Sequence, residues 1–133
     1  MMRKLDRRGF AAFEFILVAV PLFTLTFVIF DLGRYTITVQ SLKALANAGA
    51  RAVMLQCYTP NQSASSCAPS QLSTTNMQNA APFLYFGGLT PALSIAKSGN
   101  NWVVTASQAS FAMMMPIWGG ALDAPSTSTS IPF

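Results

Sequence analysis

The chain has 133 residues; 52% of them are hydrophobic, only 9% are charged, and the formal net charge is +4 at pH 7. An ordinary globular domain is about 25% charged, so this composition argues against a solitary cytosolic domain. Histidine is absent, and no two of the four acidic residues are spaced for acid–base catalysis. The sequence therefore argues against an enzyme and indicates no cofactor.

Residues 1–9 form a short basic head. It holds four basic side chains and one acidic one, namely Arg3, Lys4, Arg7 and Arg8 against Asp6. Basic residues flanking an apolar segment favour the cytoplasmic side of a membrane, so these four are predicted to set membrane orientation. A basic arm that binds nucleic acid is the alternative, but this head is short and leads directly into an apolar helix. No nucleic-acid partner is therefore expected.

An apolar run follows, over residues 10–30, and predicts a transmembrane helix over residues 10–31. As a helix the run is about 30 Å long, which matches the hydrocarbon core of a bilayer. It is too long for the core of a removable signal peptide and indicates an anchor. Pro21 is expected to kink or stretch the helix, with Thr24 and Thr26 bonding back to carbonyl groups.

Glu14 is the one ionisable side chain inside this run. A charge within a membrane span costs about 2.5–3.5 kcal/mol on insertion scales, so such a residue is expected to have a function and a partner.

The helix is predicted to continue as an amphipathic extension over residues 32–56. Apolar residues recur there at steps of three and four and form one stripe, at Leu32, Tyr35, Val39, Leu42, Leu45, Gly49 and Val53. One helix of about 70 Å is expected over residues 10–56. Asp31 and Arg34, three residues apart, are expected to pair across a turn. The stripe needs a domain or sister helices to cover it.

Residues 57–79 are predicted to be a loop with two cysteines, Cys57 and Cys67. With no histidine and no further cysteine, a zinc site is not expected. A structural disulfide between them, formed in an oxidising compartment, fits the spacing best. Two free buried thiols are the alternative. A short helical turn is possible over residues 72–79.

Residues 80–133 are predicted to be a small β-rich domain with a polar tail. The segments 92–97 and 102–106 alternate or are rich in β-formers, with a turn between them, which is typical of a hairpin. Residues 111–115 form a third apolar segment. Its three methionines favour core packing or a subunit contact over a copper site. Residues 121–133 are predicted to be a mobile end. The fold class is α+β, a long N-terminal helix packed on a small antiparallel sheet, with no metal and no catalytic residues.

The order of residues around Gly9 resembles the class III signal of type IV pilins and pseudopilins. A basic head leads to a glycine, an aromatic residue, then a glutamate five positions after the glycine and an apolar helix. The resemblance implies that a prepilin peptidase cuts after Gly9, so that Phe10 becomes the first mature residue. It also implies that Glu14 neutralises the amino terminus of a neighbouring subunit during assembly.

The finer resemblance is to the TadE-like minor pilins of the tight-adherence (Flp/Tad) pilus. It rests on residues 7–15 (RRGFAAFEF), residues 17–19 (LVA) with Pro21, residues 31–34 (DLGR) and residues 48–51 (AGAR). In that family the helix is likewise followed by a small β-containing domain. The chain departs from the pattern in having Phe10 where alanine is common, and Asp31 where glutamate is common.

The resemblance implies a minor pilin or pseudopilin that assembles or initiates a type IVc pilus for surface adhesion. The partners expected are a prepilin peptidase, other pilin and pseudopilin subunits, an inner-membrane assembly platform and membrane lipid. The expected location is the inner membrane, spanned once, with the N-terminus cytoplasmic and the C-terminal domain periplasmic, or an extracellular pilus. The alternative is an uncleaved single-pass anchor whose exported domain binds an envelope or secretion-system partner.

Overall fold

The computed structural model describes residues 7–60 and 67–133, with side chains from residue 10 onward. Arg3 and Lys4 of the predicted leader and the tip of the cysteine loop lie outside the described residues. For Arg7, Arg8 and Gly9 the backbone alone is described.

Helix α1 runs from Arg7 to Cys57 without interruption. The single long helix predicted from the sequence is therefore confirmed. Pro21 lies inside it, and the two threonines that follow donate to carbonyl groups one turn back, Thr24 Oγ1 to Val20 at 2.8 Å and Thr26 Oγ1 to Leu22 at 2.9 Å. These are the predicted backward bonds. They add hydrogen bonds to the turns that follow the proline.

The sheet among the described residues has three antiparallel strands in chain order: β1 (Ala92–Ser98), β2 (Asn101–Ser107) and β3 (Ser126–Pro132). The predicted hairpin is confirmed, with Ser98 opposite Asn101 and Ala92 opposite Ser107. Its turn begins at Gly99, whose φ of +57° is strained for residues with a Cβ. Together the helix and the sheet make the predicted α+β fold.

Strand β3 corrects the predicted mobile tail. Its backbone pairs with β2 along its whole length, from Ser107 opposite Ser126 to Asn101 opposite Pro132. Ile131 is buried against the helix, while the serines that alternate with it are exposed. The segment is polar because one face of the strand lies in solvent, and its β-branched threonines suit a pleated, half-buried surface.

Residues 111–115 are the second correction, because this segment of the predicted β-rich region forms no strand. They lie in the loop between β2 and β3, ahead of a 3₁₀ turn over Pro116–Trp118. The amide groups of Met113, Met114 and Met115 donate to carboxylates instead of to a neighbouring strand. An apolar run therefore stays outside the sheet because side chains satisfy its backbone donors.

The core lies between the second half of α1 and the sheet. Leu42, Leu45 and Val53 of the predicted stripe are fully buried against residues that include Val104 of β2. Gly49 allows a close approach of β2 to α1, since a Cβ built on it would lie 2.8 Å from Val104 Cγ1. The predicted stripe is thus covered by the folded domain from Leu42 to Val53.

A disulfide joins Cys57, the last residue of α1, to Cys67, as predicted. After it come helix α2 (Thr74–Ala80), close to the helical turn anticipated, and a 3₁₀ segment over Pro82–Gly88. Ser73 caps α2 by accepting a hydrogen bond from the Asn76 amide at 3.3 Å. In the 3₁₀ segment, burial raises the pKa of Tyr85 above its ordinary value.

Candidate functional site

The predicted cleavage and assembly residues lie at the start of α1. The peptide bond between Gly9 and Phe10 is within the helix, and Phe10 is 74% exposed. Glu14 follows four residues later, so it lies on the same helix face as Phe10, one turn on. Glu14 is exposed, and no described side chain bonds to it. Phe10 and Glu14 are thus both exposed on one face of the helix.

The surface around Glu14 is almost wholly apolar. From Phe10 to Phe30 the large hydrophobic side chains are mostly exposed, including Phe23 (58%) and Phe30 (73%). Among the described residues this is the one helix long and apolar enough to cross a membrane. Such a surface is unfavourable in water, and the helix is compatible with a membrane anchor.

Where the apolar run ends, the β2–β3 loop is fastened to α1. Both oxygens of Asp31 accept backbone hydrogen bonds, from Met114 at 3.1 Å and from Met115 at 3.0 Å. Arg34, one turn later, donates to the carbonyl of Ala112, and its guanidinium lies 4.8 Å from the ring centre of Phe111. We call this arrangement of Asp31, Arg34 and residues 111–115 the loop clamp.

The clamp was not predicted from the sequence, which suggested only that Asp31 and Arg34 pair with each other across a turn. Both side chains hold backbone groups of a loop some eighty positions away in the chain, and Arg34 also interacts electrostatically with Asp31. Asp31 is consequently 3% exposed although it borders an exposed apolar segment. An aspartate and an arginine one turn apart at the end of an apolar segment indicate that polar groups are bound there. The sequence does not show that these groups belong to the loop at residues 112–115.

Asp123 holds the loop from its other side. Its Oδ1 accepts from the Met113 amide at 2.8 Å, and the neighbouring Ala124 amide donates to the Phe111 carbonyl at 2.9 Å. Residues 111–115 are therefore held by α1 on one side and by Asp123 and Ala124 on the other. The three methionines do not all pack in the core, because Met114 is 78% exposed.

An open crevice of about 590 Å³ lies beside the clamp. Its lining includes Phe27 and Phe30 of α1, Phe83 of the 3₁₀ segment and Met114 of the β2–β3 loop. The crevice thus joins the exposed face of α1 to the apolar side chains of the folded part. No cluster of three or more potential metal ligands occurs among residues 7–60 and 67–133.

One comparison with known proteins agrees with the resemblance seen in the sequence. Residues 9–51, about a third of the chain, match the family model described as TadE-like protein. The matched stretch begins at the predicted cleavage site and covers the exposed apolar run, the Asp31–Arg34 pair and Gly49. No curated protein and no solved structure matched the chain.

Proposed function

We propose that the chain is a TadE-like minor pilin or pseudopilin that takes part in the assembly or initiation of a type IVc (Flp/Tad) pilus used for surface adhesion. The observation that carries the proposal is the family match over residues 9–51 together with the helix it covers. Between residues 10 and 30 that helix is apolar on all sides, and the only ionisable residue in this stretch is Glu14, which is exposed.

In the proposed pathway the basic head stays in the cytoplasm and residues 10–31 span the inner membrane. A prepilin peptidase hydrolyses the bond between Gly9 and Phe10, which leaves a carboxylate on Gly9 and an ammonium group on Phe10. The folded part, residues 32–133, lies in the periplasm, where an oxidising environment permits the Cys57–Cys67 bond.

Assembly then depends on Glu14. When helices leave the bilayer and pack together, an ammonium group and a carboxylate in low dielectric attract each other strongly, and either one alone is costly. Glu14 lies about 6 Å along the helix axis from Phe10. A neighbouring helix shifted along the axis by about that distance brings its new amino terminus beside Glu14, so the pair sets the stagger between subunits.

The partners that follow from this proposal are a prepilin peptidase, other pilin and pseudopilin subunits, the assembly platform and membrane lipid. The role is structural, not enzymatic, and needs no cofactor. Support for it comes from the exposed apolar face of residues 10–30, which is suited to packing against similar helices.

The test is complementation of a pilus-producing host that lacks this gene, with the wild-type chain and with Glu14→Ala. Intact-mass measurement on the membrane fraction is expected to show loss of residues 1–9 in both. Piliation is expected for the wild type and strongly reduced for Glu14→Ala, because the amino terminus of a neighbour is then left unpaired.

Glu14→Asp is the matched control, since it keeps the charge on a shorter side chain and is expected to restore part of the piliation. Normal piliation with Glu14→Ala would contradict the pairing role. A wild-type chain that keeps Met1 in membranes containing the peptidase would contradict maturation and favour the uncleaved anchor that binds an envelope partner.

A further inference from the structure

We propose that the folded part of the chain has its own contact with the lipid surface, a set of apolar side chains that enters the interfacial layer where α1 leaves the bilayer. The inference rests on the proposed membrane span of residues 10–31. The contact consists of four exposed side chains, which we call the apolar collar: Phe83, Phe86, Met114 and Ile117.

The collar is exposed although it belongs to the folded part. Phe86 is 81% exposed, Met114 78%, Ile117 60% and Phe83 40%. Phe83 and Phe86 come from the 3₁₀ segment, and the other two come from the β2–β3 loop. Two segments distant in sequence thus present apolar side chains without covering each other.

The loop clamp sets the level of the collar along the helix. The amides of Met114 and Met115 are bonded to Asp31, which is the first residue after the apolar run. The loop backbone therefore lies level with the end of the span. If residues 10–30 fill the hydrocarbon core, Met114 and the neighbouring Ile117 lie in the interfacial layer.

Continuity with the span favours lipid over a protein as the occupant. Phe27 and Phe30 line the same crevice as Phe83 and Met114, so the surface that faces acyl chains runs into the collar. The two charged residues that also line the crevice, Asp31 and Arg34, are engaged in the loop clamp. Arg34 stands at this level, where a cation favours lipid headgroups. Half-buried Trp118 lies beside Ile117, and tryptophan is typical of this layer.

The two tryptophans of the chain allow a direct test. Trp118 is in the β2–β3 loop, next to Ile117 of the collar, whereas Trp102 is buried at the far end of the sheet. Trp102 pairs with Ile131, and the Tyr58 hydroxyl donates to the adjacent Pro132 carbonyl, so Trp102 is level with the end of α1. It is therefore more than about 30 Å from the clamp along the helix.

The full chain is reconstituted in phosphatidylcholine vesicles whose acyl chains carry bromine either near the headgroup or near the bilayer centre. Bromine quenches tryptophan fluorescence at short range. We expect the shallow bromine to quench the wild type at least about twofold more than Trp118→Phe, which retains Trp102 as the internal control. The double variant Met114→Asp with Ile117→Asp is expected to remove this difference.

A third variant separates the inference from the proposed span. Phe23→Trp in the Trp118→Phe background places a reporter in the middle of residues 10–30 and is expected to be quenched by deep bromine. If that reporter is quenched while wild type and Trp118→Phe are quenched equally, the collar does not touch lipid and the inference is overturned, with the span intact.

If the reporter at position 23 is not quenched, the span itself fails and the inference fails with it. If Trp118 is shielded from bromine, and its emission shifts only at a high ratio of protein to lipid, the collar binds a second protein instead. That outcome also overturns the inference.

Discussion

The two halves of α1 form one continuous helix, yet they are built for different surroundings. Between residues 10 and 30 nearly every side chain is exposed, whether aromatic, aliphatic or acidic. Between residues 42 and 57 the apolar stripe is buried, with Leu42, Leu45 and Val53 fully covered. The backbone is helical in both halves. They differ because the sheet and loops cover apolar side chains only in the second half.

The difference shows that the fold of this chain is stabilised by only one half of its longest element. The first half contributes no contact to the core cluster, whose helix residues begin at Leu42. Its exposed apolar surface is compatible with a membrane anchor. The loop clamp at Asp31 and Arg34 lies between the two halves.

The largest effect is expected from truncating one of two leucines of α1 that differ in burial. Leu45 is 0% exposed and Leu25 is 61% exposed in the same helix. Leu45→Ala is expected to lower the free energy of unfolding by about 2–5 kcal/mol through lost burial and the cavity left behind. Leu25→Ala is expected to leave it unchanged. Denaturant titration in detergent, followed by tryptophan fluorescence, measures both, and equal losses would contradict the division of the helix.

The clamp tests the boundary between the halves. Asp31→Ala removes the acceptor of two backbone amides, Met114 and Met115, and is expected to favour loop opening by about 1–3 kcal/mol. Hydrogen exchange of the peptide that contains them should accelerate accordingly. Asp31→Asn keeps one carbonyl acceptor and is expected to fall between the wild type and Asp31→Ala. Unchanged exchange in both variants would show that the clamp does not hold the loop.

The smallest changes in the free energy of unfolding are expected for alanine substitutions at two glycines of α1, and the two changes are expected to have opposite signs. A Cβ on Gly33 would meet nothing within 4 Å, so Gly33→Ala should gain up to about 1 kcal/mol of helix propensity. A Cβ on Gly49 would lie 2.8 Å from Val104 Cγ1 in the core. There the overpacking, about 1–3 kcal/mol, outweighs the propensity gain. The same denaturant titration measures the free energy of unfolding of both variants. Stabilisation by both changes would contradict the close approach at Gly49.

Much of the fold was predictable because it depends on local patterns. The length of α1 follows from an apolar run and a stripe with helical spacing, and the hairpin follows from alternation around Gly99. The disulfide was the preferred pairing of two cysteines in a chain without other thiols. Strand β3 was missed because serine and threonine alternation has no apolar signal, and its pairing depends on the open edge of β2.

The sequence by itself determined that residues 10–30 form an apolar helix with one charge, Glu14, and its resemblance to TadE-like proteins was confirmed over residues 9–51. These properties depend on residue type and spacing along the chain. Only the tertiary structure decided that Asp31 and Arg34 hold a loop, that residues 111–115 stay outside the sheet, and that β3 joins it. The reason is that each of these depends on backbone donors and acceptors that lie far apart in sequence and become neighbours only when the sheet packs on α1.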